Sequence, residues 1–443
     1  MSVDKAKDPS PKENKIVEPK PEFATKTENK PDAKPKKQGM GEGQKPVPKA
    51  YKDNWNDIFG KKHINLEGAP RKAYLDGLRG AAACMVLLGH LSIALTIQLG
   101  PLRIFASGNY GVCIFFILSG YVLAGLAQNS TLSLSAQTIR RYLRLAIPIL
   151  LTSSVAWGLL ALGAYHNKAA GDIVRSWWMA AWYQFEPSFT DMVWQSLYGC
   201  FVGVEPIYNS SLWTMQPELT GSFCVLLINA VSGNRILRAS LLLIWAGLDL
   251  TSYYPLFAAG ALLFEIEAEL RFFYAKIFRT AALKALAIVA LCCVGIYLGM
   301  PELKPLRWYG WLPQFANDND MRWHQIAALA SMVAVLLSPM LQSIFGSALG
   351  RYLGRTSFVM YLLQVPVICS YTAWVVVMMS EFGQPDWLVV RIAAVSTVAV
   401  IFLISTVLYR FIDESGVRLS RLAGRQIDSL FPARRGEPAD RGR

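Results

Sequence analysis

From residue 80 onward the chain is a series of long apolar runs broken by short polar segments, whereas large apolar side chains are scarce over residues 1 to 50. A bilayer's hydrocarbon core takes about 20 apolar residues per helix. Measured against that length, the pattern predicts ten spans, near 80–99, 108–127, 143–165, 212–231, 237–252, 254–268, 281–300, 323–345, 357–379 and 387–410. The fifth and sixth are short and separated only by Asp249 to Tyr254. The expected fold is therefore all-α, a polytopic membrane helix bundle occupying residues 73–412.

Charge gives the bundle a direction. Lys and Arg accumulate on cytoplasmic loops, and the cations here fall on every second loop: Arg140, Arg141 and Arg144, then Arg235 and Arg238, then Arg271, Lys276, Arg279 and Lys284, then Arg351 and Arg355. Seven Arg follow in the basic segment 413–443. The alternate loops are poor in excess cations, with two against four anions over 166–211 and three against three over 301–322. Both termini are expected to be cytoplasmic.

Residues 1–72 hold 17 Lys and Arg against 11 Asp and Glu. Their Lys, Pro and Glu repeats cannot bury enough surface to offset ordering entropy, so a disordered cytosolic tail is expected. A short interfacial helix over Tyr51 to Phe59 would close it. The chain's net charge of +13 would suggest nucleic acid were the cations not placed between apolar runs; membrane lipid is the expected partner instead. The seven cysteines show neither a disulfide framework nor a zinc spacing, and no metal is expected. Plasma membrane and endomembrane are not distinguished.

Ionisable side chains inside a span are costly and mark function. His90 falls near the middle of the first run, about 15 Å of helix rise beyond Gly80. Arg79 precedes it by eleven residues, leaving only about 20° between them around the helix, and Asp76 joins the same stripe. Glu218, beside Pro217, lies roughly 9 Å into the fourth run from its outer end. Ser119 and Gly120 sit at midspan in the second, where small residues also serve close helix packing. The Arg140, Arg141 and Arg144 cluster at the cytoplasmic mouth suits phosphate, because a guanidinium donates paired hydrogen bonds; it also suits a plain positive-inside anchor. The aromatics of the long outer loop, including Trp177, Trp178, Trp182 and Tyr183, read as an interfacial belt or, less often, as a sugar-stacking surface. A midspan imidazole, a carboxylate and an inner ring of guanidinium groups fit acyl transfer from a cytosolic donor to a hydroxyl, and equally a proton-coupled transporter using His90 and Glu218 as a relay.

At these residues the sequence resembles the acyltransferase 3 family of integral membrane acyltransferases, in a fungal-type form. The likeness runs in order through Tyr74-Leu75-Asp76-Gly77-Leu78-Arg79-Gly80, the Arg79 to His90 spacing, Phe115 to Tyr121, Arg140-Arg141-Tyr142-Leu143-Arg144, Leu212-Trp213-Thr214-Met215-Gln216-Pro217-Glu218 and Leu353 to Phe358. It implies ten spans, an acyl-CoA donor, commonly acetyl-CoA, and O-acylation of a carbohydrate, lipid or small natural product. By that likeness His90 is the base, Arg79 and the arginine cluster hold the donor, and Glu218 is an active-site acid or orienting partner. Asp76, Ser119, Gly120, Tyr121 and Trp213 are the remaining motif positions. Two departures stand out: Tyr121 replaces the usual Phe after Ser-Gly, and Gln364 stands where the family often has His.

Overall fold

A computed structural model of the protein describes residues 72–300 and 319–430. The expected N-terminal tail with its interfacial helix up to residue 71, residues 301–318 of the 301–322 loop and residues 431–443 of the basic C-terminal segment lie outside the described residues. Those described are helical, with no strand among them. The chain order begins α1 (Ala73–Ala94), a 3-10 turn at Gly100–Ala106, α2 (Gly108–Asn129) and α3 (Leu134–Ala161). The following segment carries three short helices, α4 (Asn167–Val174), α5 (Trp177–Ala181) and α6 (Phe189–Leu197). Next come α7 (Met215–Val231), α8 (Arg235–Leu248), α9 (Tyr254–Ile277) and α10 (Ala281–Leu298). The remainder is α11 (Asn319–Leu337), α12 (Pro339–Phe345), α13 (Ala348–Val367), a π-turn at Ile368–Thr372, α14 (Ala373–Glu381) and α15 (Asp386–Leu430).

Six of these are long and apolar enough to cross a membrane: α1, α2, α3, α10, the continuous rod of α13 to α14, and α15. The α11 and α12 pair, bent by 100°, makes a seventh if read as one broken span. This is fewer than the ten expected, and the shortfall falls on the fourth to sixth runs. Residues 210–214 wind as a 3-10 turn, leaving α7 only 17 residues. The 14 residues of α8 rise about 21 Å, short of a ~30 Å core. α9 is long enough at 24 residues, but Glu265, Glu267, Glu269 and Arg271 load its second half with charge.

Glycines set the helix spacing at two seams. Gly80 and Gly354 bring α1 and α13 together so closely that a Cβ on Gly80 would meet the backbone of Leu353, and one on Gly354 the backbone of Asp76, while Gly77 lies against the Phe345 backbone at the end of α12. Across the α2 and α9 seam, Gly120 lies against the Phe257 backbone and Gly260 against Ile117. Such contacts maximise dispersion where lipid supplies no hydrophobic drive between helices. Gly120 thus takes part in close helix packing at this seam. Gly120→Val is expected to cost roughly 1–3 kcal/mol by overpacking, read as a lower melting temperature in detergent; an unchanged melt would refute that role.

α15 runs through residue 412, where the sequence suggested the membrane domain ends, and continues to Leu430. Small residues explain the extension. Gly416, Ser420 and Gly424 recur every four residues on its buried face. Gly416 rests on Pro148 and Gly424 on the Arg140 side chain, while the Ser133 amide at the start of α3 donates to Asp428 (2.7 Å).

Candidate active site

α1 begins at Ala73, seven residues before the apolar run that announced it, because Asp76 and Arg79 pair across one turn (3.1 Å) and so let polar residues occupy its first turns. His90 lies about 25 Å along the helix from Ala73, one turn before its C-terminal end at Ala94.

The segment between α3 and α7 closes over that end. Ser176 donates to the Ile93 carbonyl (3.0 Å) and Thr96 to that of Val174 (3.1 Å), while Leu91, Ala94 and Leu95 pack with Ala170, Met179, Ile368 and Ala373. Trp178 is thereby laid on the imidazole, ring centroids 5.4 Å apart and planes 19° off parallel. Trp182 meets Trp178 edge to face, and Tyr183 stacks on Tyr165 at 3.8 Å. Burial pushes the Tyr183 phenol well above its ordinary range, so it stays protonated and donates to the Tyr208 carbonyl (3.1 Å). The non-glycine residues with left-handed backbones among those described, Thr96, Arg175 and Tyr183 (φ 52°, 55° and 57°), all belong to this assembly. Strain of this kind persists where surrounding structure over-determines it, and it clusters at functional sites.

His90 is part-buried, and its two ring nitrogens differ. Nδ1 is sealed from solvent without a hydrogen-bond partner; Nε2 is not among the sealed atoms. Gln364, fully buried on α13, is the side chain that the imidazole senses. It donates to the Tyr361 carbonyl (3.1 Å), and Tyr361 in turn bonds Thr214 and the Ser211 carbonyl (both 2.7 Å).

The arginine motif splits three ways. Arg141 forms an ion pair with Glu218 and donates through Nε to Ser222 (2.9 Å). Glu218, 8% exposed, also accepts from Ser119 (2.6 Å). Arg144 pairs with Asp413 on α15 (2.6 Å) and lies over the Phe358 ring. Arg140 packs along Gly424 of α15. Arg79 and Arg144 lie within the electrostatic reach of Arg141, so three guanidinium groups gather between α1, α3 and α7, each with a carboxylate.

The expected pairing of Glu218 with His90 is not among the contacts described; Glu218 belongs to Arg141. Pro217 precedes Glu218. It sits in the first turn of α7, where its missing N–H costs little. Tyr121 points away from the arginines, donating to Glu267 beside Lys72, and Trp213 is 41% exposed against Tyr253. Ser222 and Asp413 went unforeseen because neither carries a motif of its own; Phe358 was visible only as the end of the Leu353 to Phe358 stretch, and Trp178 only as one of many loop aromatics. Among the described residues, no group of three or more His, Cys, Asp or Glu is placed to hold a metal ion.

Three fungal proteins are similar to this chain. O-acetyltransferase PaAT-1 of Phomopsis amygdali is 22% identical over 436 residues, covering 80% of this chain and 85% of its own length. Acyltransferase clz18 of Cochliobolus lunatus is 22% identical across 82% of this chain and 96% of itself. Acyltransferase R4 of a Phoma species is 22% identical across 68% and 83%. No solved structure matches the chain. The family model described as an acyltransferase domain matches residues 72–406, from the start of α1 into α15, and the chain, a multi-pass membrane protein, belongs to that acyltransferase 3 family.

Proposed function

We propose that the protein transfers an acyl group, acetyl in the first instance, from acyl-CoA to a hydroxyl of a carbohydrate, lipid or small natural product. The observation that carries this reading is the polarity of one helix. α1 presents Arg79, within the guanidinium cluster, and about 16 Å of rise further on it presents His90, whose unsealed Nε2 can meet a reacting group. A donor whose phosphates lie far from its thioester along a flexible arm fits that separation. Arg79 and Arg144 keep about a third of their side chains exposed and so retain donors for phosphate, whereas Arg141 is committed to Glu218 and Ser222. In this reading ten crossings place both termini and the arginines in the cytosol, with the tail over 1–72 and residues 413–443 on the same side.

In the reaction, Nε2 of neutral His90 removes the acceptor hydroxyl proton as the oxygen attacks the thioester carbon. The tetrahedral intermediate collapses by breaking the C–S bond. The departing thiolate takes the proton back from the imidazolium, giving ester and free CoA. The name of PaAT-1, an O-acetyltransferase, supports acetyl as the group and oxygen as the acceptor atom.

The test is binding and turnover with radiolabelled acetyl-CoA in nanodiscs, supplying metabolite extract as acceptor source and identifying the labelled ester by mass spectrometry. Arg144→Ala is expected to raise the donor KM about tenfold, the scale of one charge-assisted hydrogen bond, with kcat little altered. An unchanged donor KM would remove the phosphate role, and no labelled ester from any extract would overturn the proposal.

A further inference from the structure

Two buried polar atoms on neighbouring helices lack partners, and the packing sets them level with one another. α1 and α13 run in the same direction. Gly80 meets Leu353 and Gly354. One and two turns on, Ala83 and Leu87 share a cluster with Met360 and Val367. Ten residues beyond Gly80 and Gly354, the same register pairs His90 with Gln364. The imidazole senses that amide, yet His90 Nδ1 and Gln364 Oε1 are each sealed from solvent with no hydrogen bond made. The Gln364 amide nitrogen is already anchored on the Tyr361 carbonyl, so the oxygen is the end left to act. Buried acceptors and ring nitrogens are seldom left orphaned, and each of these two groups supplies what the other lacks.

We propose that Gln364 is the positioning residue of the imidazole: its Oε1 accepts a hydrogen bond from His90 Nδ1–H and so keeps the lone pair on Nε2. Neutral imidazole carries one N–H, and the partner of one nitrogen decides the state of the other. The Trp178 stack fixes the ring plane; Gln364 fixes which edge is the base. A neutral amide does this without burying a negative charge beside the ring. This inference rests on the reading of His90 as the base, but its test does not depend on turnover.

That test is nitrogen-15 magnetic resonance of the full-length protein labelled at its four histidines, with the His90 signals identified by their loss in His90→Gln. The expected result is a resting Nδ1–H tautomer with unprotonated Nε2. In Gln364→Leu the signal moves to the Nε2–H tautomer that imidazole prefers in water. Gln364→Glu, which restores an oxygen of the same reach, returns it to Nδ1–H. An Nε2–H tautomer in the unsubstituted protein, or a His90 spectrum indifferent to Gln364→Leu in protein that melts normally, overturns the proposal. Should Gln364→Leu fail to fold, the unsubstituted tautomer and that of Gln364→Glu decide alone. Acyl transfer surviving His90→Ala would instead remove the base assignment and leave the tautomer result standing.

Discussion

His90→Ala is expected to reduce acyl transfer by about 10²–10⁴-fold, the span that a positioned general base contributes, equivalent to roughly 3–5 kcal/mol of activation free energy. The loss should appear in kcat, because the imidazole removes a proton in the transition state and contributes little to holding either substrate beforehand. The protein should remain folded. His90 is one turn from the end of α1 and only part-buried, and its ring stacks on Trp178, a contact worth about 0.5–1.5 kcal/mol. His90→Gln is the sharper comparison, since it keeps bulk and polarity but cannot accept a proton near neutral pH. If either variant, purified and assayed with radiolabelled acetyl-CoA, turned over at the unsubstituted rate, the proton would have to leave by another route.

The second large effect is on stability. Glu218→Ala is expected to destabilise the protein by about 3–5 kcal/mol, the cost of stranding one partner of a buried ion pair. Arg141 and Glu218 are 18% and 11% exposed at their side chains, so solvent cannot take over the missing role. The Ser119 hydroxyl loses its acceptor in the same substitution. Removing both charges with Arg141→Leu and Glu218→Leu should recover much of the loss, because the desolvation penalty goes with them. Thermal melting in a fixed detergent reads both. A melt of Glu218→Ala that matched the unsubstituted protein would show the pair contributes nothing to stability, and attention would return to Glu218 as a group that meets substrate.

These two residues show how far a sequence can be followed. Each was found by the same rule, that an ionisable side chain in an apolar run costs too much to be incidental, and both motifs lie within the matched residues. The rule says nothing about partners. Glu218 was expected beside His90 and is instead held by Arg141, because the 3-10 turn at 210–214 and the first turn of α7 bring it against α2 and α3. Arg140, Arg141 and Arg144, four residues apart from end to end, face α15, α7 and α15 with α13 respectively. Successive residues on a helix diverge by about 100°, and only the neighbours decide what each direction meets.

What the sequence determined by itself was the helical class, the membrane, the family and the residue types able to do chemistry, since all of these follow from local length, apolarity and short motifs. Tertiary structure alone decided that α1 starts early and ends one turn after His90, that Gly120 lies against the Phe257 backbone, and that Gln364 lies level with the imidazole. The reason is one of range. Periodicity and burial cost act between residues a few positions apart, whereas Gly80 against Leu353 or Arg144 against Asp413 joins positions separated by more than 250 residues, and no pattern along the chain encodes which helices will lie side by side.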